Sequence, residues 1–292
     1  MDPKSLALVL AAIVAHGYWN FLIKQNGGGQ VFIALSKVAE LVVFAPVFLI
    51  WFLPAVRAHS DAWPIVVIGA ALSLANYVAL GKAYQAGDLS LVYPVSRGAI
   101  LLFLPLFGFL MFGERPSLIG WIAIVCIMVG ILVMPLTSLD KRSLTALGPL
   151  LKHASIGFAL IAALAAAAYT VWDKRAVMRL PVFAYFYAYT VLVALAYAGY
   201  LWKRHPAAAV REELRRHWGP ILQVGVLNVV AYQLILVALR TGVSTYIVAL
   251  RQLSIAVGAL LGWWLLNEPI GPAKRLGLVL IVAGCVLVAV AG

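Results

Sequence analysis

The chain has 292 residues, 64% of them hydrophobic and only 11% charged, with a mean hydropathy of +1.01, whereas a soluble domain is about 45–50% apolar. That excess, with the polar residues collected between long apolar runs, excludes a soluble protein and predicts an all-α integral membrane protein. The net charge of +12 does not point to nucleic acid, because the basic residues lie in short segments flanking apolar runs, where lipid headgroups and topology account for them.

A transmembrane helix takes roughly 20 mainly apolar residues, and ten stretches qualify. The first, near Ser5–Ile23, follows Met1 to Lys4 without a small-residue cleavage site, so no cleavable signal is expected. It places His16, Trp19 and Asn20 on one face at i, i+3 and i+4. His16 is suited to proton coupling or to a hydrogen bond across helices, and Trp19 to an aromatic wall. The second span, Val31–Leu53, holds Lys37 and Glu40 at i, i+3, a pair that either lines a cavity or neutralises itself. The third, Pro64–Gly81, contributes Asn76 and Tyr77, which either contact substrate or join helices. The fourth, Leu89–Met111, carries Arg97 close to Tyr93 and Ser96, with Pro94 and Pro105 predicting a kinked helix. An arginine at a helix centre costs about +2.5 to +3.5 kcal/mol on insertion scales, so it marks a cavity or functional site by default. The fifth span is Leu118–Pro135.

A polar stretch, residues 137–153, precedes the sixth span, Ser155–Trp172, which Asp173 ends as an isolated carboxylate. The seventh, Phe183–Trp202, sets Tyr185 and Tyr189 on one face for a gate or for ordinary packing. "KRHPAAAVREELRRHW" then reads as an amphipathic surface helix before the eighth span, Gly219–Leu239, with Asn228 and Tyr232. The ninth, Thr245–Leu266, carries Arg251 with no proline near it, and a Gly258–Gly262 GxxxG that predicts close helix packing within the fold or at a homodimer contact. The tenth is Leu276–Ala291. Cys126 and Cys285 lie midway in apolar runs, without metal or redox spacing.

The second half echoes the first. A shift of 154 residues sets Arg97 on Arg251, Gly108 on Gly262, Glu114 on Glu268 and Gly130 on Gly284, and a shift of 150 sets "YWNFLIK" on "AYTVWDK". Arginine and glutamate are scarce here, so their repetition carries weight. Five helices per half is an odd number, so the two repeats enter the membrane from opposite sides. Such inverted repeats place a substrate site near the midplane between them. The expected organisation is a first repeat over residues 1–136, a linker over 137–153, and a second repeat over 154–292. Glu114 and Glu268 end their helices and are expected to cap or pair at the membrane surface.

In order, "AHGYWNFLIK", "AYQAGDLSLVYPVSRG", "FGERPSLIGWIAIVCIMVGILVM", "AYTVWDKRAV" and "LRQLSIAVGALLGWWLLNEP" resemble the EamA-type branch of the drug/metabolite transporter superfamily. The resemblance covers nearly the whole chain. It implies a ten-helix permease of the plasma (inner) membrane with a central cavity, typically exporting small metabolites. The "GDLSLVYPVSRG" wording resembles members linked with phosphonate metabolism.

The expected function is therefore secondary transport of a small metabolite. Two arginines in symmetry-related spans suit a carboxylate, phosphonate or phosphate, which the planar guanidinium grips by its fork. No GxxxxGK[ST], HExxH or GxSxG occurs, so neither nucleotide hydrolysis nor intramembrane zinc or serine chemistry is expected. No cofactor or metal is called for. An intramembrane enzyme and a receptor or scaffold without flux are the competing classes. Orientation stays divided. Lysine and arginine number twelve on one loop face and seven on the other, which puts both termini outside the cytoplasm, whereas the resemblance implies both inside.

Overall fold

The computed structural model describes residues 2–26, 29–54, 62–87, 89–136 and 153–291. Among them every regular element is a helix. The first repeat comprises α1 (Pro3–Gln25), α2 (Gln30–Val47, prolonged by a wide turn over Phe48–Phe52), α3 (Trp63–Ala86), α4 (Leu89–Phe112) and α5 (Leu118–Val133). The second comprises α6 (Ala154–Val177), α7 (Val182–Arg204), α8 (Ala207–Leu239), a ninth helix in two pieces, α9a (Ser244–Arg251) and α9b (Leu253–Leu266), and α10 (Pro272–Ala291). Eight spans are long and apolar enough to cross a membrane, α9a and α9b counting as one, and α5 and the apolar part of α7 (Val182–Ala196) are shorter apolar helices. Together they make a ten-helix membrane bundle. The linker expected at 137–153 lies outside the described residues except for His153.

Local chemistry sets the helix ends. Asp2 caps α1 by accepting from Ser5 N at 2.9 Å, with Pro3 in the first turn, where a missing N–H costs nothing. Ser117 caps α5 through Gly120 N. The basic amphipathic stretch opens α8 and ends at a kink at His217, where φ is −124° and ψ 23°, so a surface helix and a span share one continuous element. Large apolar side chains such as Val42, Leu118, Trp264 and Val290 stay exposed on the bundle's outside, as a lipid-facing surface requires.

Helix packing is symmetric under exchange of the halves. α1 packs on α8 and α9, and α6 packs on α3 and α4; α2 meets α8 as α7 meets α3; α5 pairs with α10 and α2 with α7. The α5–α10 crossing runs over bare backbone: a Cβ on Gly130 would lie 2.7 Å from the Gly277 carbonyl. Such close approach is the small-residue packing that lipid-embedded helices use in place of a hydrophobic drive. The core between the halves is filled by Ile13, Leu101, Leu104, Ile124, Leu236 and Ile247. α1, α4, α6 and α9 therefore meet at the centre, and those are the helices that carry the scarce charges.

Candidate functional site

Both buried-span arginines sit where their helices are irregular. Arg97 follows Pro94 in α4, and its guanidinium lies over the Tyr93 ring at 5.3 Å. Arg251 is the last residue of α9a, where the helix breaks despite having no proline: Gln252 N turns back to Ala249 O at 3.1 Å, and Gln252 Nε2 bonds Val248 O. Ser254 Oγ donates to the Arg251 carbonyl, as Ser96 Oγ donates to the Tyr93 carbonyl in α4. The Arg251 guanidinium lies over the Tyr232 ring at 5.5 Å. Both arginines are half-buried, and among the described residues neither has a carboxylate partner in ion-pair range. His16 of α1 and Tyr169 of α6 lie within electrostatic reach of both, which places the two guanidinium groups around one centre.

Asp173, expected to stand alone, is the hub of a polar cluster. It is 2% exposed. Tyr185 donates to its Oδ1 at 2.6 Å, and Tyr232 donates to its Oδ2 at 2.5 Å. Short charge-assisted bonds of this kind are the strong class. Tyr189 packs against both tyrosines, and Gly69 of α3 leaves the room that the Tyr185 hydroxyl occupies. Since Tyr232 also lies under Arg251, this cluster and the arginine centre are continuous.

The other polar residues divide. His16 Nδ1 accepts from Trp19 Nε1 at 3.1 Å, and the rings meet edge-on, so that pair borders the centre. Asn20 spends its amide on the His16 carbonyl one turn back. Asn76 donates to Ala162 O at 2.8 Å and ties α3 to α6. Tyr77 lies near Tyr169 and Tyr189 at the centre's edge. Lys37 donates to both oxygens of Glu40, and Asn228 donates to Glu40 Oε1 at 2.9 Å, closing a neutral knot between α2 and α8 apart from the arginines. The structure thus brings Tyr93, Arg97, Arg251, Tyr232, His16 and Trp19 together with Asp173, Tyr169 and Tyr185; Asn76 and the Glu40–Asn228 pair make bonds between helices, whereas Asn20 and Lys37 bond within their own helices.

The two helix-ending glutamates do pair at the membrane faces. Glu114 receives Lys174 Nζ at 2.6 Å, together with the backbone N and the hydroxyl of Ser244. Glu268 pairs with Lys24 and, at 3.8 Å, with Lys274. The hydrogen bond from Lys24 is the main reason that the Glu268 carboxyl is held below the ordinary 4.5. Each glutamate is folded back by a left-handed residue before it, Gly113 at φ 67° and Asn267 at φ 53°. Its N–H then returns to Gly108 O or Gly262 O, both at 3.2 Å. A Cβ on Gly108 would lie 2.6 Å from Glu114 Oε2, and one on Gly262 2.9 Å from Glu268 Oε2. Gly258 has nothing within 4 Å. Within the chain, Gly262 of the GxxxG seats a carboxylate.

A ten-helix bundle built from exchanged halves, with a polar centre, defines a multi-pass membrane protein. Residues 153–290 match the model of the EamA-like transporter family. "Probable glucose uptake protein GlcU" of Bacillus anthracis is 26% identical over 147 residues, 46% of this chain and 49% of that protein. A protein of the same name from Bacillus cereus (strain ATCC 10987 / NRS 248) matches to the same extent. The chain spans about half the length of the curated relatives it matches. A solved structure described only as "Crystal structure of protein" overlays 100% of this chain and 98% of its own with a TM-score of 0.78 at 15% identity, a likeness of fold.

Proposed function

We propose that the chain is a secondary transporter that moves a small metabolite bearing an anionic group, as an exporter, by alternating access at a centre between its repeats. One observation carries this reading: two symmetry-related arginines, half-buried in the span region, have no carboxylate partner among the described residues. A guanidinium in the span region with no carboxylate in ion-pair range leaves donor capacity for a ligand, and two of them favour a carboxylate, phosphonate or phosphate. Trp19, Tyr93 and Tyr232 supply the aromatic boundary of that centre. Tight, preorganised binding is not what a carrier needs; moderate affinity in both facing states is.

A neutral sugar is the competing substrate class. The curated relatives are named for glucose uptake, and the hydroxyl-rich group of Asp173, Tyr185 and Tyr232 supports it. The two readings separate in counterflow with proteoliposomes screened against organic acids, phosphonates and glucose. Under the anion reading Arg97→Gln and Arg251→Gln each abolish exchange while the protein remains monodisperse. Exchange of glucose that both variants preserve would overturn it, and binding of a solute without any exchange would overturn transport itself.

A further inference from the structure

Two lysine–glutamate pairs sit at opposite membrane faces, and each joins the repeats. Lys174 ends α6 and Glu114 follows α4, whereas Lys24 ends α1 and Glu268 follows α9b. In a bundle that crosses the membrane with every helix, α4 and α6 end at one face and α1 and α9 at the other. The shift of 150 sets Lys24 on Lys174, and the shift of 154 sets Glu114 on Glu268. Each repeat therefore supplies one lysine and one glutamate, and each pair takes one from either repeat.

Their surroundings are not equal. The Lys174 and Glu114 side chains are 11% and 7% exposed, but those of Lys24 and Glu268 are 60% and 27% exposed. Lys174 also donates to the Gly242 carbonyl at 2.7 Å, and Glu114 caps the start of α9a through Ser244. Around this pair, Ser5 bonds Thr241 and Ser117 bonds Tyr246, two further links between repeats at the same face. The Lys174–Glu114 pair is buried. The chemistry at the Glu268 face is the same, but water reaches it.

We propose that the two pairs are reciprocal latches of the alternating-access cycle, with Lys174–Glu114 buried in the state described here and Lys24–Glu268, which is paired but water-exposed here, buried in the opposite state. This rests on the transporter reading above. The exchange is between chemically identical pairs, so exposing one is offset by burying the other, and neither state is a deep trap. The same shift of 154 sets Ser244 on Ser90 at the start of α4, the helix start that Glu268 caps when its latch closes. The glutamates are also wired to the centre. α4 carries Arg97 and leads to Glu114, and α9 carries Arg251 and leads to Glu268, so an anion gripped by the arginines bears on the two helices that the latches hold.

The test needs no substrate. Pulsed-EPR distances are measured in nanodiscs between label pairs spanning each face, with Cys126 and Cys285 replaced. The parent protein gives a short, narrow distance at the Glu114 face. Glu114→Gln is expected to add a longer population there and, in the same sample, a shorter one at the Glu268 face; Glu268→Gln is expected to abolish any such closed population at its own face. The double swap Lys174→Glu with Glu114→Lys restores the parent distances, which a mere loss of folding in the single variant would not allow. Unchanged distances in Glu114→Gln, or both faces opening together, overturn the proposal. Reciprocal distance shifts in a protein that exchanges no solute would keep the latches and defeat the transporter reading; solute exchange without reciprocity would do the reverse.

Discussion

The two repeats share an arginine, a lysine, a glutamate and the glycine that seats it, yet they surround the centre with different chemistry. The end of α1 offers His16, Trp19 and Asn20, and Ile23 stands where α6 has Asp173. The corresponding stretch of α6 offers Tyr169, Thr170 and the buried carboxylate with its two phenol donors. Apart from the arginines, what the halves keep in common lies at the two faces, and what they do not share lies around the centre.

The sharpest way to break that division is at Asp173. Asp173→Ala strips the partner from two buried tyrosine hydroxyls, and an orphaned buried donor costs about 1–3 kcal/mol. With two orphans, the expected loss is the largest of any change at the centre. It is read as a drop in the thermal midpoint of detergent-purified protein. Ile23→Ala, the matching change in the first repeat, removes only half-buried apolar atoms and is expected to lower the midpoint less. Equal losses would show that Asp173 is not a special feature of the second repeat.

A smaller effect separates the seats of the two glutamates. Gly108→Ala drives a methyl to within 2.6 Å of a Glu114 oxygen pinned by Lys174 and Ser244, so that side chain cannot yield. Overpacking of this sort costs about 1–3 kcal/mol. Gly262→Ala meets Glu268 Oε2 at 2.9 Å, but that side chain is half-exposed and able to swing away, so the loss is expected to be well under that of Gly108→Ala. Midpoints of the two variants, compared under one condition, check the difference.

The ten helices and the arginine pair were legible in the sequence for plain reasons. Hydropathy runs at the length of a bilayer have few other meanings, and a scarce charge repeated at a fixed shift stands out from an apolar background. Asp173 was not legible as a hub because its donors lie 12 and 59 residues away, on α7 and α8, and only packing brings them in. The break after Arg251 had no proline or glycine to announce it; the amide of Gln252 turned on its own helix supplies the bonds instead. The Gly258–Gly262 spacing reports small residues and not what fills the space beside them, which at Gly262 is the chain's own carboxylate. Lys37, Glu40 and Asn228 show the opposite case, where polar residues deep in spans bond one another.

The smallest expected effect belongs to the exposed pair, Lys24–Glu268. Lys24, by its hydrogen bond and charge, with Lys274 behind it, holds the Glu268 carboxyl below the ordinary 4.5. A depressed folded value means that the ionised group stabilises the fold above about pH 4.5, and that this contribution is lost as pH falls through the lower folded value. For a pair this exposed the contribution is about 0–1 kcal/mol, and salt screens it. Asp2 titrates in the same direction through its bonds from Ser5, so a bare acid titration does not isolate Glu268. Comparison with Lys24→Met does. The midpoint gap between the parent and Lys24→Met is expected to be small at neutral pH, to close under acid, and to shrink in high salt. A gap that widened on acidification, or one as large as the Gly108→Ala loss, would mean that Lys24–Glu268 is already a sealed contact and that the two faces do not differ as described.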